Sequence, residues 1–167
     1  MNRVLVIGCP GSGKSTFSRA LAQKTGLPLF HLDRIYWNAD RTTVEKSVFL
    51  ERLSGALRGS RWIIDGNYGS TLEMRLQACD TVFFLDYPVE VCLDGVRLRR
   101  GQPRSDIPWT EIEEDMEFTQ FIKNYRVDSR PKVMELLNKY ACKQIHTFQN
   151  RDDAEQFLNR LHQDTCE

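Results

Sequence analysis

The sequence predicts an α/β protein built on a parallel sheet with helices on both faces, and three observations carry that prediction. Gly8-Cys9-Pro10-Gly11-Ser12-Gly13-Lys14-Ser15 satisfies the pattern G-x-x-x-x-G-K-[S/T] in full. It lies between the apolar run Val4-Leu5-Val6-Ile7 and a helical pattern, the setting such a loop requires. Short apolar runs then alternate with longer amphipathic ones, and a run that is apolar throughout suits a strand covered on both faces.

In chain order, residues 4–7 read as a buried strand bounded by glycine. Residues 14–25 follow as a helix, with Phe17, Ala20 and Leu21 at helical spacing and Gly26 in the position that closes it. A second strand is expected over 27–32, ending at Asp33, and a helix over 44–57 carries Val48, Phe49, Leu53, Ala56 and Leu57. Arg61-Trp62-Ile63-Ile64-Asp65-Gly66 supplies a third strand. A short helix over 70–77 leads to a fourth strand over 81–85, which ends in Asp86-Tyr87-Pro88. Residues 89–140 break the rhythm, being helical and arginine-rich around the turn-rich Gly101-Gln102-Pro103-Arg104-Ser105-Asp106-Ile107-Pro108, and read as an insertion over the site. A last strand over 144–148 and a helix over 152–161 close the chain, the helix with Ala154, Phe157, Leu158 and Leu161 on one face.

At 167 residues the chain is expected to form one domain with a core that needs no disulfide or structural metal. Its 23 basic and 23 acidic residues cancel, so there is no general pull toward nucleic acid or membrane. Cys9, Cys79, Cys92, Cys142 and Cys166 are odd in number, scattered and never paired as C-x-x-C, which argues against a disulfide framework or zinc site and for reduced thiols in the cytoplasm. No signal-type leader or membrane-spanning run is expected. His31, His146 and His162 are scattered and read as packed or surface residues.

The glycine-rich loop is a phosphate cradle. Gly8, Pro10, Gly11, Ser12 and Gly13 let the backbone curl until its N–H groups point inward, and Lys14 reaches the β- and γ-phosphates. Ser15 offers a hydroxyl to Mg²⁺, and Thr16 follows in the first turn of the helix whose positive dipole end completes the anion site. The implied ligands are ATP and Mg²⁺.

Asp33 and Asp65 stand at expected strand ends, the edge where a parallel sheet gathers ligands. Asp65 follows Trp62-Ile63-Ile64 as a metal-holding carboxylate would; a turn residue in Asp65-Gly66-Asn67 is the alternative. Asp33 suits the orientation or deprotonation of an acceptor hydroxyl, or a cap. Asp86 fits a helix start. Tyr36, Trp37, Asn67 and Tyr68 follow the two carboxylates and are candidates for an acceptor pocket, with Arg75 placed to reach an acceptor phosphate.

Phosphoryl transfer needs positive charge on the equatorial oxygens, which a closing lid can deliver as guanidinium. Arg97, Arg126 and Arg130 are the arginines expected to do this. Arg99, Arg100 and Arg104 lie in the same stretch, but Glu111, Glu113, Glu114, Asp115 and Glu117 are near enough in sequence to pair with arginines there.

The chain resembles a P-loop kinase of the adenylate kinase-like branch, and within it the DNA topology modulation (FlaR-type) proteins. The resemblance rests on Gly8 through Thr16, on His31-Leu32-Asp33 with Tyr36-Trp37, and on Trp62-Ile63-Ile64-Asp65-Gly66-Asn67-Tyr68. It extends through Ser70-Thr71-Leu72 with Arg75, Phe83-Phe84-Leu85-Asp86, Arg99-Arg100 and Ser129-Arg130-Pro131-Lys132. It implies a three-layer P-loop NTP hydrolase fold, a five-stranded parallel core and a helical lid insertion at about 97–130, with an acceptor-binding region at about 31–60. The donor base would lie at Gln149-Asn150-Arg151, near Arg97. Adenylate kinases carry Asp-Gly-x-Pro-Arg after the third strand, whereas here Gly66 is followed by Asn67-Tyr68-Gly69, which weakens the case for AMP as acceptor. Asp33-Arg34-Ile35-Tyr36-Trp37 is closer in kind to kinases of small hydroxylated metabolites.

The expectation is therefore an ATP- and Mg²⁺-dependent phosphotransferase acting on a nucleoside monophosphate or a hydroxylated metabolite, as a monomer or weak homodimer. The alternative is a nucleotide-dependent regulatory or DNA-binding protein, for which the arginines at 97–104 are the local stripe and the neutral total charge the contrary sign.

Overall fold

The computed structural model describes residues 1–161, so His162 and Cys166 lie outside the described residues. β1 (Arg3–Gly8) is the middle strand of a five-stranded sheet. It pairs with β3 (Trp62–Asp65) on one side and β4 (Thr81–Leu85) on the other. β2 (Leu29–His31) and β5 (Gln144–Phe148) form the edges, giving the order β2-β3-β1-β4-β5 with every pairing parallel. From β1 the chain goes first to the edge strand β2, returns inward through β3 and then crosses to β4 and β5 on the other side, so the turn leaving β1 lies where the direction of winding reverses. Ligands collect at such a point, beyond the carboxyl ends of the strands.

The strand periodicity of two divides the core between the faces. Val4 and Val6 pack with Phe17 and Leu21 of α1 (Lys14–Thr25), Ile122 of α6 (Met116–Asp128) and Leu158 of α8 (Arg151–Arg160). Leu5 and Ile7 pack with Phe49 and Leu53 of α3 (Lys46–Leu57), Leu72 and Leu76 of α4 (Gly69–Ala78), and Leu137 of α7 (Arg130–Lys139). All of these are buried, so β1 is covered on both faces as its unbroken apolar run requires.

The second strand is shorter than the sequence suggested. The chain leaves the sheet after His31 and turns into α2 (Leu32–Tyr36), which places Asp33 in a helical first turn instead of at a strand end. Leu32 suits either pattern, but Ile35 and Tyr36 follow it at helical spacing and pack against the same core cluster as Leu32. Beyond α2 a tight loop is closed by an antiparallel bridge between Trp37 and Thr43.

α5 (Val89–Arg99) presses its backbone onto the glycine-rich loop. A Cβ on Gly95 would collide with the Gly11 carbonyl, and one on Gly11 with the Cys92 carbonyl. Gly11 also holds φ at 83°, where a side chain is strained. Residues 100–115 contain no helix or strand, and Asp115 then caps α6 by accepting from the Phe118 N–H at 2.9 Å. Among the described residues no helix is long and apolar enough to cross a membrane, and Cys9, Cys79, Cys92 and Cys142 are free thiols.

Candidate functional site

The site begins with the loop from β1 into α1. Gly13 stands at the helix entrance with φ at 90°, and the first N–H groups of α1 open onto the loop. Lys14 curls back so that Nζ donates to the Gly8 carbonyl at 2.9 Å and the Cys9 carbonyl at 3.0 Å, leaving its third proton for a ligand. Burial pulls the Lys14 ammonium below its ordinary value, against the raising influence of the Cys9, Asp33 and Asp65 side chains. Ser12 Oγ is buried without a hydrogen-bond partner, an orphaned hydroxyl in the same loop. A polyphosphate fits this cradle on both counts.

Two carboxylates sit beside it in different circumstances. Asp33 accepts from the Tyr68 hydroxyl at 2.6 Å. Burial pushes its carboxyl above the ordinary range, more than the Tyr68 hydrogen bond and the Lys14 charge lower it. Asp65 is 3% exposed and lies within 2.9 Å of the His31 Nδ1 through both oxygens, because β2 and β3 pair in register at these two residues. The scattered histidines gave no hint of this partnership. Tyr36 does not line the cavity but packs at a tilt on Tyr68 at 4.8 Å and edge-on to Phe49 at 5.2 Å, holding the ring whose hydroxyl meets Asp33. Asn67 accepts from the Gly8 N–H at 3.3 Å, and its Nδ2 is buried without a partner.

The irregular segment after α5 folds down over the loop. Asp106, 3% exposed, accepts from the Ser15 hydroxyl at 2.6 Å. Arg104 grips the same carboxylate through both oxygens and reaches Glu111 at 2.8 Å. Burial opposes ionisation of Asp106, yet the bonds from Arg104 and Ser15 and the Arg104 charge prevail and hold its carboxyl well below the usual range. Arg19 donates to the Ser105 hydroxyl at 3.2 Å and Arg34 to the Ser105 carbonyl at 2.6 Å. Trp109 meets Trp37 edge-on at 5.4 Å, so the lid touches both the phosphate loop and the loop after α2.

The arginines are distributed differently from the expectation. Arg97 is exposed on α5 and pairs with Asp94 one helical turn away. Arg126 is exposed on α6, and Arg130 holds Asp86 in a two-pronged ion pair at 2.7 and 2.8 Å. Asp86 is therefore taken by Arg130, and Pro88 takes the helix-start position. Arg75 does not reach toward an acceptor: fully buried, it donates to the carbonyls of Gly66, Asn67, Tyr68 and Thr71, and burial pulls its guanidinium down to about 10. Arg99 and Arg104 face the cavity instead, both paired with Glu111. Arg100 meets Glu114 at 3.8 Å, so the arginine stripe of this segment is largely answered by acids of its own chain. Asn150 caps α8 by accepting from the Asp153 N–H at 2.9 Å, while Arg151 reaches the Val91 carbonyl and lines the cavity.

A cavity of about 1620 Å³ joins these parts. Pro10 through Thr16, Asp33, Trp37, Asn67, Tyr68, Arg99, Arg104, Asp106, Trp109 and Arg151 line it. Asp65, Tyr36, Arg75, Arg97, Arg126, Arg130 and Asn150 are not part of the lining. A pocket for one small ligand rarely exceeds ~1000 Å³, so there is space for two molecules side by side. Asp106, Arg104 and Trp109 are the contributors that sequence reasoning passed over. The turn-rich octapeptide flagged the segment, but nothing in it says which side chains point inward.

No family model and no curated protein matches the sequence. Among solved structures, a shikimate kinase from Acinetobacter baumannii in complex with shikimate aligns over 100% of this chain and 96% of its own, at 16% identity and a TM-score of 0.63. A shikimate kinase from Bacteroides thetaiotaomicron aligns over 98% of each chain, at 21% identity and a TM-score of 0.56. At such identities the likeness is one of fold, and it spans the whole chain: the five-stranded parallel α/β architecture read from the sequence is the fold of these P-loop kinases.

Proposed function

We propose that the protein is a kinase that transfers the γ-phosphoryl group of ATP to a hydroxyl of a small acceptor. The observation that carries this reading is the shared cavity: an intact phosphate loop and a half-buried carboxylate with a raised pKa, Asp33, open into the same space, large enough for two substrates. The two structural neighbours, one of them holding shikimate, favour a hydroxylated metabolite over a nucleoside monophosphate. So does the fate of Arg75, whose donors are spent on backbone.

In this reading the loop N–H groups and Lys14 hold the β- and γ-phosphates, and Ser15 and Thr16 face the metal-bearing side. Mg²⁺, when bound, supplies charge neutralisation across the phosphates, and the hydroxyl of Ser15 together with nearby carboxylate oxygen suits it. Asp33 accepts the proton of the acceptor hydroxyl as its oxygen bonds to the γ-phosphorus and the bond to the β–γ bridging oxygen breaks, with ADP leaving. Tyr68 holds Asp33 in place by its hydrogen bond. Trp37, Tyr68, Asn67 and Trp109 line the acceptor end. Arg99 is the cavity-facing cation for the transferred group, Arg104 is held by Asp106 and Glu111, and Arg151 lies toward the nucleotide end. Asp65, held by His31, acts behind Asp33 in this scheme, through its charge on Lys14 and Asp33. Within the kinase branch we assign the chain to the DNA topology modulation type on Asp65-Gly66-Asn67-Tyr68 and Tyr36-Trp37, and propose a cytoplasmic setting from its free thiols.

Calorimetric titration with a non-hydrolysable ATP analogue tests the nucleotide half. Wild-type protein is expected to bind it in the presence of Mg²⁺ and Lys14→Ala to bind at least about tenfold more weakly, given what a charge-assisted contact contributes. Equal affinity in the two proteins would overturn the reading.

A further inference from the structure

Within the nucleotide reading above, the metal-binding side of the site lacks a clear carboxylate partner. Asp65, the residue that its position at the end of β3 recommends, is outside the cavity lining, whereas Asp106 is part of it. Asp33 is spoken for by Tyr68 and by the acceptor. Among the described residues no three or more His, Cys, Asp or Glu side chains converge, so a divalent ion here would have to take most of its ligands from phosphate oxygens and water. Mg²⁺ is ordinarily held in that way, by one or two protein oxygens beside the phosphates.

One pair of protein oxygens is already set for it. Ser15 Oγ and Asp106 Oδ2 stand 2.6 Å apart, both facing the cavity. Mg²⁺ takes ligands at about 2.0–2.1 Å in near-octahedral array, so two adjacent ligands lie about 2.9 Å apart. The observed pair needs to open by only a few tenths of an ångström. We propose that Asp106 is the protein's carboxylate ligand for the nucleotide-bound Mg²⁺, so that the ion is held jointly by the phosphate loop through Ser15 and by the lid through Asp106.

The surroundings are built to present that carboxylate. Arg104 grips both Asp106 oxygens and is itself tethered to Glu111, and oriented metal-ligating carboxylates are commonly held by such outer partners. Arg19 and Arg34 fix the adjacent Ser105 from two different helices. Each of these contacts aims Asp106 at Ser15, and none depends on the acceptor. A consequence follows for the lid: if the ion bridges the two segments, metal binding and lid closure are one event, and nucleotide without metal leaves the lid less firmly held.

Calorimetry with the non-hydrolysable ATP analogue, in Mg²⁺ and in EDTA, on wild type and Asp106→Asn, tests the proposal. The asparagine keeps the shape and can still accept from Ser15. Wild type is expected to gain affinity on adding Mg²⁺, and Asp106→Asn to lose about 10- to 100-fold of that gain while its affinity in EDTA is unchanged or higher. Retention of the full gain, or a larger one, would overturn the assignment, the larger gain meaning that Asp106 competes with the ligand for Ser15. Wild type failing to bind under either condition would overturn the nucleotide reading and the proposal with it. A wild-type measurement stands independently of how the variant folds: at saturating analogue, Mg²⁺ is expected to slow amide exchange across residues 104–109, and unchanged exchange there contradicts the bridge.

Discussion

At the scale of single residues, the sequence spoke clearly where chemistry needs a fixed spacing and poorly where it needs an orientation. The turn from Gly8 into the helix at Lys14 could be read outright, because its glycines permit the positive φ found at Gly8, Gly11 and Gly13. The arginines could not, since any guanidinium near the lid satisfies the same demand, and only packing decides that Arg75 is spent on carbonyls and Arg130 on Asp86. Arg75→Met is expected to cost roughly 3 kcal/mol, because several buried carbonyls lose their donor. A urea-unfolding midpoint measures it; unaltered stability with a raised acceptor KM would put the guanidinium at the acceptor after all. Asp33→Asn is expected to lower kcat about 10²- to 10⁴-fold and to remove the acid limb of the pH–rate profile. Burial raises the Asp33 pKa, so the folded state holds this proton more tightly than the unfolded chain. Its ionisation therefore costs stability as pH rises from about 4, the unfolded value, through the folded one. The same substitution is accordingly expected to raise the melting temperature at pH 7 and to give no such gain below about pH 4. A variant with normal kcat would remove Asp33 from the chemistry.

Among the elements, strands were easier to read than their ends. The fourth strand was legible to the residue because the β-branched Thr81 leads into the apolar run 82–85 and Asp80 and Pro88 flank it closely. The second was not, since Leu32 belongs equally to a strand reading and to the helical face it shares with Ile35 and Tyr36. The contact between α5 and the phosphate loop left no readable sign, because Gly95 in a helix looks like any tolerated glycine until Gly11 is seen against it. Gly95→Ala is expected to force the two apart, with roughly 1–3 kcal/mol lost from stability and a weakened grip on nucleotide. Thermal melting with and without the ATP analogue reads both. A variant that melts normally and keeps its nucleotide-induced shift would show that the close approach carries no function.

For the whole molecule, the architecture was legible because each level of the sequence agreed with the next. A strand apolar on both faces, alternating helices and a phosphate loop at the strand-order switch all point to one parallel sheet. What the sequence left open is how 100–115 folds over the cavity, since that segment has no periodicity and is held by side-chain pairs such as Arg104 with Asp106 and Glu111. The acceptor is the remaining unknown of the same kind, shaped by Trp37, Tyr68, Asn67 and Trp109 from separate elements. Phosphorus NMR of the protein with ATP, Mg²⁺ and a panel of hydroxylated ring acids, sugars, nucleosides and nucleoside monophosphates tests the central claim. One hydroxylated acceptor is expected to yield a new phosphate-ester resonance in step with ADP, absent from Lys14→Ala. ATP that stays intact, or yields only inorganic phosphate with every acceptor, would contradict it.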